Sequence, residues 1–155
     1  MSDQLQYAVS GHWMPGERGT VAGAGMGKSI EFSAPPEFRG ESGFWTPEHL
    51  LLAAVASCFV TTFRAIATFS KFDPLTLDIS VEGKLGKSQT GYEFTGVVLR
   101  PRLTIQDERQ RLFASRILEK TERSCLVARS LKCEVTMEAT IESPQGTAHN
   151  EALVA

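Results

Sequence analysis

At 155 residues, with 16 Lys and Arg against 18 Asp and Glu, the chain has the size of one domain. Its net charge of −2 excludes nucleic-acid binding by phosphate neutralisation, and 42% hydrophobic with 22% charged residues excludes a disordered or fibrous chain. Three cysteines are too few, and odd in number, for a secreted disulfide scaffold; with no signal-peptide pattern after Met-Ser-Asp-Gln, a cytoplasmic protein is expected.

Residues 4–9 can begin a strand, whereas 11–27, punctuated by glycine and proline, read as turn. Residues 28–33 alternate, with Ile30 and Phe32 on one side, and predict a strand; 35–45 read as a loop. Thr46-Pro47-Glu48 then combines an N-cap residue, proline at the first helical position and an acid in the first turn. The helix that follows, from Leu50 to Phe69, is apolar nearly all round and long enough to span a bilayer, which takes about 20 residues. Ser57, Thr61, Thr62, Arg64 and Thr68 interrupt it, and Arg64 would be costly at mid-bilayer. A buried central helix is expected instead, with no membrane partner.

Leu75, Leu77, Ile79 and Val81 alternate with polar residues as a half-buried strand, 86–91 supply a turn, and 92–105 return as a second strand. Pro101 within it marks an edge or a bulge. A second helix is predicted over about 107–127, with Ala114, Ile117, Leu118, Thr121 and Cys125 on its inner face. The last strand, 133–142, points Cys133, Val135, Met137, Ala139 and Ile141 to one side. Residues 143–155 read as a loose tail. The pattern predicts one α+β domain over 1–142, with two long helices on one face of an antiparallel sheet. The first helix is too apolar for a monomer of this size, so a second subunit is expected to cover part of it.

Several motifs fail. Residues 22–29 end in Gly-Lys-Ser, but a P-loop needs glycine where Ala22 stands and a helix where this chain predicts a strand. His12, His49 and His149 lie far apart, and no Cys-x-x-Cys occurs, so neither a metal nor another cofactor is expected. No Gly-x-Ser-x-Gly elbow supports a serine hydrolase. Cys58 lies midway along the apolar helix and Cys125 at the end of the second, and each taken alone reads as core filler. A reactive Cys58 needs a cation brought by the fold, from Arg18, Arg39, Arg64 or Arg129.

The segment from Thr46 to Phe59, with its Pro-Glu, its Ala-rich run and a Cys-Phe ten residues after the Glu, resembles the signature helix of the OsmC/Ohr family. The run from Cys125 to Leu131 resembles that family's second cysteine segment, and Gly16-Glu17-Arg18-Gly19 sits where members carry an arginine in an N-terminal hairpin. Leu126 departs from it, since many members have proline there. The resemblance implies an OsmC/Ohr-like fold, antiparallel sheets around two central helices, in an intertwined homodimer. It implies reduction of organic (alkyl or fatty-acid) hydroperoxides, with Cys58 as peroxidatic thiolate, Cys125 as resolving thiol and a lipoyl-type dithiol as reductant. Arg18, chosen over Arg39, would lower the Cys58 pKa and stabilise the leaving alkoxide, and Glu48 would hold the guanidinium by a bidentate pair.

Ten residues of straight helix separate Glu48 from Cys58 by about 15 Å. Arg18 would have to reach between them, the helix would have to break, or a second subunit would have to supply a partner. His49 reads as a surface residue of the capping turn, and Cys133 as an inert strand residue. The rival from another class is a dimeric module of the same fold that binds a hydrophobic small molecule without catalysis.

Overall fold

The computed structural model describes residues 4–144 and 146–151, the last six through their backbone alone. The backbone packs as two compact units, Met1–Leu51 and Leu52–Ala155.

The first unit is a three-stranded antiparallel sheet, β1 (Val9–Trp13), β2 (Arg18–Gly23) and β3 (Ile30–Ser33), in that order. The glycine-rich stretch read as turn therefore holds two strands. Its glycines serve close approach rather than bending: a Cβ on Gly19 would come within 2.6 Å of the Phe32 ring and 2.9 Å of the His12 carbonyl oxygen. The turn proper is short and uses Gly16 at φ +86. A 3₁₀ turn over Pro36–Phe38 follows β3. Ser33 N–H bonds the Trp45 carbonyl at 2.8 Å, tying the end of β3 to the residue before the helix cap.

Helix α1 (Pro47–Phe69) begins as its sequence dictates. Thr46 Oγ1 accepts the His49 N–H at 3.3 Å and lies 2.8 Å from His49 Nδ1, and Pro47 occupies the first turn, where no N–H is needed. Within the second unit α1 buries one stripe, Val55, Phe59, Phe63 and Ala67, at every fourth residue. The sequence reads α1 as a buried central helix with part of it left for a second subunit to cover. Only 22% of its most apolar stretch is buried, because the chain by itself covers one side.

The buried stripe packs on a sheet built from β4 (Thr76–Ser88), β5 (Gly91–Thr104), β6 (Glu134–Met137), β7 (Ala139–Ser143) and β8 (Gly146–Glu151). β4 and β5 form the long antiparallel hairpin that the alternation predicts. The sheet as a whole is mixed rather than antiparallel, because β6 and β7 both pair parallel to β5. A helical crossover from β5 returns the chain in the same direction, as parallel pairing requires. The strand predicted over 133–142 is accordingly divided at Glu138, whose N–H bonds the Leu99 carbonyl at 2.8 Å. Pro101 sits in the gap between the two ladders, where no donor is needed. β8, within the tail read as loose, pairs antiparallel with β7 and continues the ladder past its edge; residues 152–155 of that tail lie outside the described residues.

The helix expected as one piece over 107–127 is three: a 3₁₀ turn at Glu108–Gln110, α2 (Arg111–Ser124) and the single turn α3 (Leu126–Arg129). Cys125, at φ −67 and ψ 103, breaks the run. Ala114, Ile117, Leu118, Thr121 and Cys125 are all buried, the face read from periodicity. Phe59 is fully buried in this core. Phe59→Ala should lower unfolding free energy by about 3–5 kcal/mol, read from urea melts, as for other buried aromatic truncations.

Candidate functional site

Cys58 lies on α1 one residue before fully buried Phe59, so its side chain is half-buried at the margin of the core stripe. Cys125 is fully buried at the joint between α2 and α3. Cys58 packs against the core cluster that contains Cys125, the two thiols shift each other's acidity, and Cys58 Sγ lies 3.9 Å from Thr62 Oγ1, one turn along α1. All three cysteines are free thiols, and Cys133 stands half-buried just before β6.

The environment drives the two thiols apart. Burial pushes Cys58 up, but hydrogen bonds from the Val127 N–H, the Cys125 side chain, the Thr62 hydroxyl and the Leu126 N–H outweigh it, holding the thiol below its ordinary range. Burial pushes Cys125 up, the Ala128 N–H opposes that, and the neighbouring Cys58 sulfur and its charge raise it further. Cys58 is thus the more acidic thiol of the pair and Cys125 the less acidic. With a lowered pKa, the thiolate fraction of Cys58 at neutral pH exceeds that of a free cysteine. Iodoacetamide labelling followed by mass spectrometry should therefore give Cys58 a midpoint below an ordinary thiol, and Cys125 one above it. A single shared midpoint would contradict this.

Arg18 opens β2 in the first unit, and there the expected pairing is corrected. Its Nε donates to both carboxylate oxygens of Glu41, each at 3.1 Å, and its guanidinium carbon lies 4.8 Å from the centre of the Phe44 ring. Glu41 raises the Arg18 pKa first by this hydrogen bond and then by its charge. Glu48 does not receive the arginine; its Oε2 is out of solvent and has no hydrogen-bond partner among the described residues. The physical reason is proximity along the sheet, since β2 and β3 pair Arg18 with Ser33, and Ser33 holds Glu41. Arg39 caps the 3₁₀ turn at φ 68 with an exposed side chain. α1 continues unbroken past both Glu48 and Cys58.

Four participants escape the sequence reading. Thr62 follows Cys58 by one helical turn, and that spacing was the available signal. The Val127 and Leu126 amides face Cys58 only because the helix breaks at Cys125. Glu41 lies in an aperiodic loop with no signal of its own.

A half-buried thiol biased toward thiolate, set against a buried partner thiol on an α+β frame, defines a dithiol site. The chain belongs to the OsmC-like protein family, whose model matches residues 40–140. It is 27% identical over 127 residues to the peroxiredoxin OsmC of Escherichia coli, covering 81% of this chain and 87% of that protein. It is 25% identical over 148 residues to the uncharacterized protein YmaD of Bacillus subtilis, covering 92% of this chain and 97% of that one. Among solved structures, an organic hydroperoxide resistance protein OsmC from Legionella pneumophila shares the fold, with a TM-score of 0.73 at 21% identity over 91% of this chain and 99% of that one.

Proposed function

We propose that the protein is a cysteine-based peroxidase that reduces organic hydroperoxides, alkyl or fatty-acid, and is regenerated by a lipoyl-type dithiol. The observation that carries this reading is that Cys58 packs against the core cluster holding Cys125, with the acidities of the two thiols driven in opposite directions. In the first step the Cys58 thiolate attacks the distal peroxide oxygen: an S–O bond forms, the O–O bond breaks, and the sulfur is oxidised to a sulfenic acid as the alkoxide leaves and takes a proton. Arg18 stabilises the charge on that leaving oxygen.

Burial raises the Cys125 pKa most, and oxidation of Cys58 removes the negative charge that raised it further. Cys125 then ionises and attacks the sulfenic sulfur, an S–S bond forms and water departs. The external dithiol reduces this disulfide by two exchange steps, returning two thiols and becoming a cyclic disulfide itself. A transient disulfide of this kind suits a reducing cytoplasm.

A homodimer completes the proposal. The largely uncovered apolar length of α1 is the surface a second copy would bury, and the orphaned Glu48 oxygen would gain a donor there, since a buried carboxylate oxygen without one is costly. Sedimentation of the reduced protein should give twice the chain mass. The function itself is tested by adding stoichiometric cumene hydroperoxide and counting free thiols. The expected result is rapid loss of two, mapped to Cys58 and Cys125, and their recovery with dihydrolipoamide. Thiols that survive the peroxide would point instead to a non-catalytic module that binds a hydrophobic small molecule.

A further inference from the structure

Arg18 is held in an unusual way for an arginine beside a carboxylate. A side-on fork would use Nε together with a terminal nitrogen, whereas here Nε alone serves both Glu41 oxygens, at 3.1 Å each. Nη1 and Nη2 have no hydrogen-bond partner among the described residues. Phe44 lies against the guanidinium at 4.8 Å, which restricts rotation about the remaining bonds.

Glu41 is itself fixed by a single buried atom. The Ser33 hydroxyl, in a residue with no exposure, accepts the Glu41 N–H at 2.8 Å and donates to the Glu17 carbonyl at 2.9 Å. Glu17 immediately precedes Arg18, so the same oxygen ties down the backbone on both sides of the ion pair. The carboxylate lies under the turn: a Cβ built on Gly16 would be 3.9 Å from Glu41 Oε1. An exposed ion pair ordinarily loses most of its benefit to side-chain entropy. Here both partners are anchored before they meet.

We propose that Glu41, locked by Ser33, is the positioning residue for Arg18, fixing the guanidinium through Nε so that Nη1 and Nη2 stay free to receive an oxygen anion. Glu41 touches no reacting atom. Because its charge offsets part of the arginine's, Arg18 acts through aimed N–H groups rather than as a bulk cation. This deepens the hydroperoxide proposal and rests on it, with the alkoxide leaving from the peroxide as the anion received.

The test compares wild type, Glu41→Gln, Glu41→Asp and Ser33→Ala in two reactions of Cys58, stopped-flow oxidation by cumene hydroperoxide and alkylation by neutral iodoacetamide. Glu41→Gln should slow oxidation by about 10- to 100-fold, the scale of a misplaced catalytic group, and leave alkylation unchanged. Ser33→Ala should do the same to a lesser degree, and Glu41→Asp should restore part of the rate. In ¹H–¹⁵N spectra the Arg18 Nε–H should exchange slowly in wild type and rapidly in Glu41→Gln. Oxidation at the wild-type rate in Glu41→Gln overturns the proposal, as does parallel slowing of both reactions, which is what a merely structural role would give. If the wild type itself resists the hydroperoxide, the functional reading falls, and the hold on Arg18 is then judged from its Nε–H alone: unaltered exchange in Glu41→Gln overturns it, and faster exchange sustains it.

Discussion

Replacing Cys58 by serine should reduce hydroperoxide consumption to the uncatalysed rate while leaving the fold intact. The exchange is nearly isosteric at a half-buried position, so the adjoining Phe59 keeps its place in the core. What changes is acidity. The donors around Cys58, the Val127 and Leu126 amides, Cys125 and Thr62, favour ionisation of a thiol, but a serine hydroxyl starts from a far higher pKa. Cys125→Ser should behave differently. Cys58 still reacts once, its sulfenic acid accumulates and is trapped by dimedone, and turnover with dihydrolipoamide is lost. Consumption of peroxide by Cys58→Ser at the wild-type rate would remove the mechanism altogether.

Arg18→Ala should slow Cys58 oxidation by about 10²–10³-fold, the effect of deleting one aimed donor from a developing oxyanion, while Arg39→Ala leaves it unchanged. The contrast follows from how the two residues are held. Arg18 is gripped by Glu41 and Phe44, whereas Arg39 is exposed and caps a 3₁₀ turn. Arg18→Lys is the sharper variant. An ammonium keeps the charge, but its three donors radiate from one atom, so it cannot hold Glu41 and present a separate pair of N–H groups in a fixed plane. Its rate should stay close to that of Arg18→Ala. A lysine that restores the rate would mean that charge alone suffices, and an effect of Arg39→Ala in place of Arg18→Ala would move the role to the other arginine.

Legibility in the sequence followed the physics of each element. Thr46-Pro47-Glu48 announces α1 because capping is local, and the β4–β5 hairpin is visible because a half-buried strand alternates with period two. Cys125 falls on the inner face of α2 by helical spacing alone, and it is buried there. β1 and β2 were hidden because glycines that admit close approach look the same, in a sequence, as glycines that make turns. The parallel pairing of β5 with β6 and β7 is a property of topology, and no alternation pattern distinguishes it from antiparallel pairing. The sequence names Cys58, Cys125 and Arg18 as candidates but assigns the arginine to Glu48. The carboxylate it meets is 23 residues away along the chain, in a loop whose conformation depends on one hydroxyl of a neighbouring strand.

The joint at Cys125 bears on how such a site could work repeatedly. A disulfide needs its two Cα atoms within about 7 Å and its Cβ vectors converging, so at least one cysteine must shift when the bond forms. Cys58 is embedded mid-helix, where movement would strain a continuous ladder of backbone hydrogen bonds. Cys125 stands between two helices in extended conformation, its N–H bonded back to the Thr121 carbonyl and its carbonyl accepting the Arg129 N–H, so rotation of its side chain, rather than of its backbone, can carry the sulfur without unwinding either neighbour. In the proposed cycle the rigid member of the pair would meet the substrate, and the pivoting member would close and open the link. Repeated oxidation and reduction would then leave the secondary structure unaltered, with far-ultraviolet circular dichroism the same in both states.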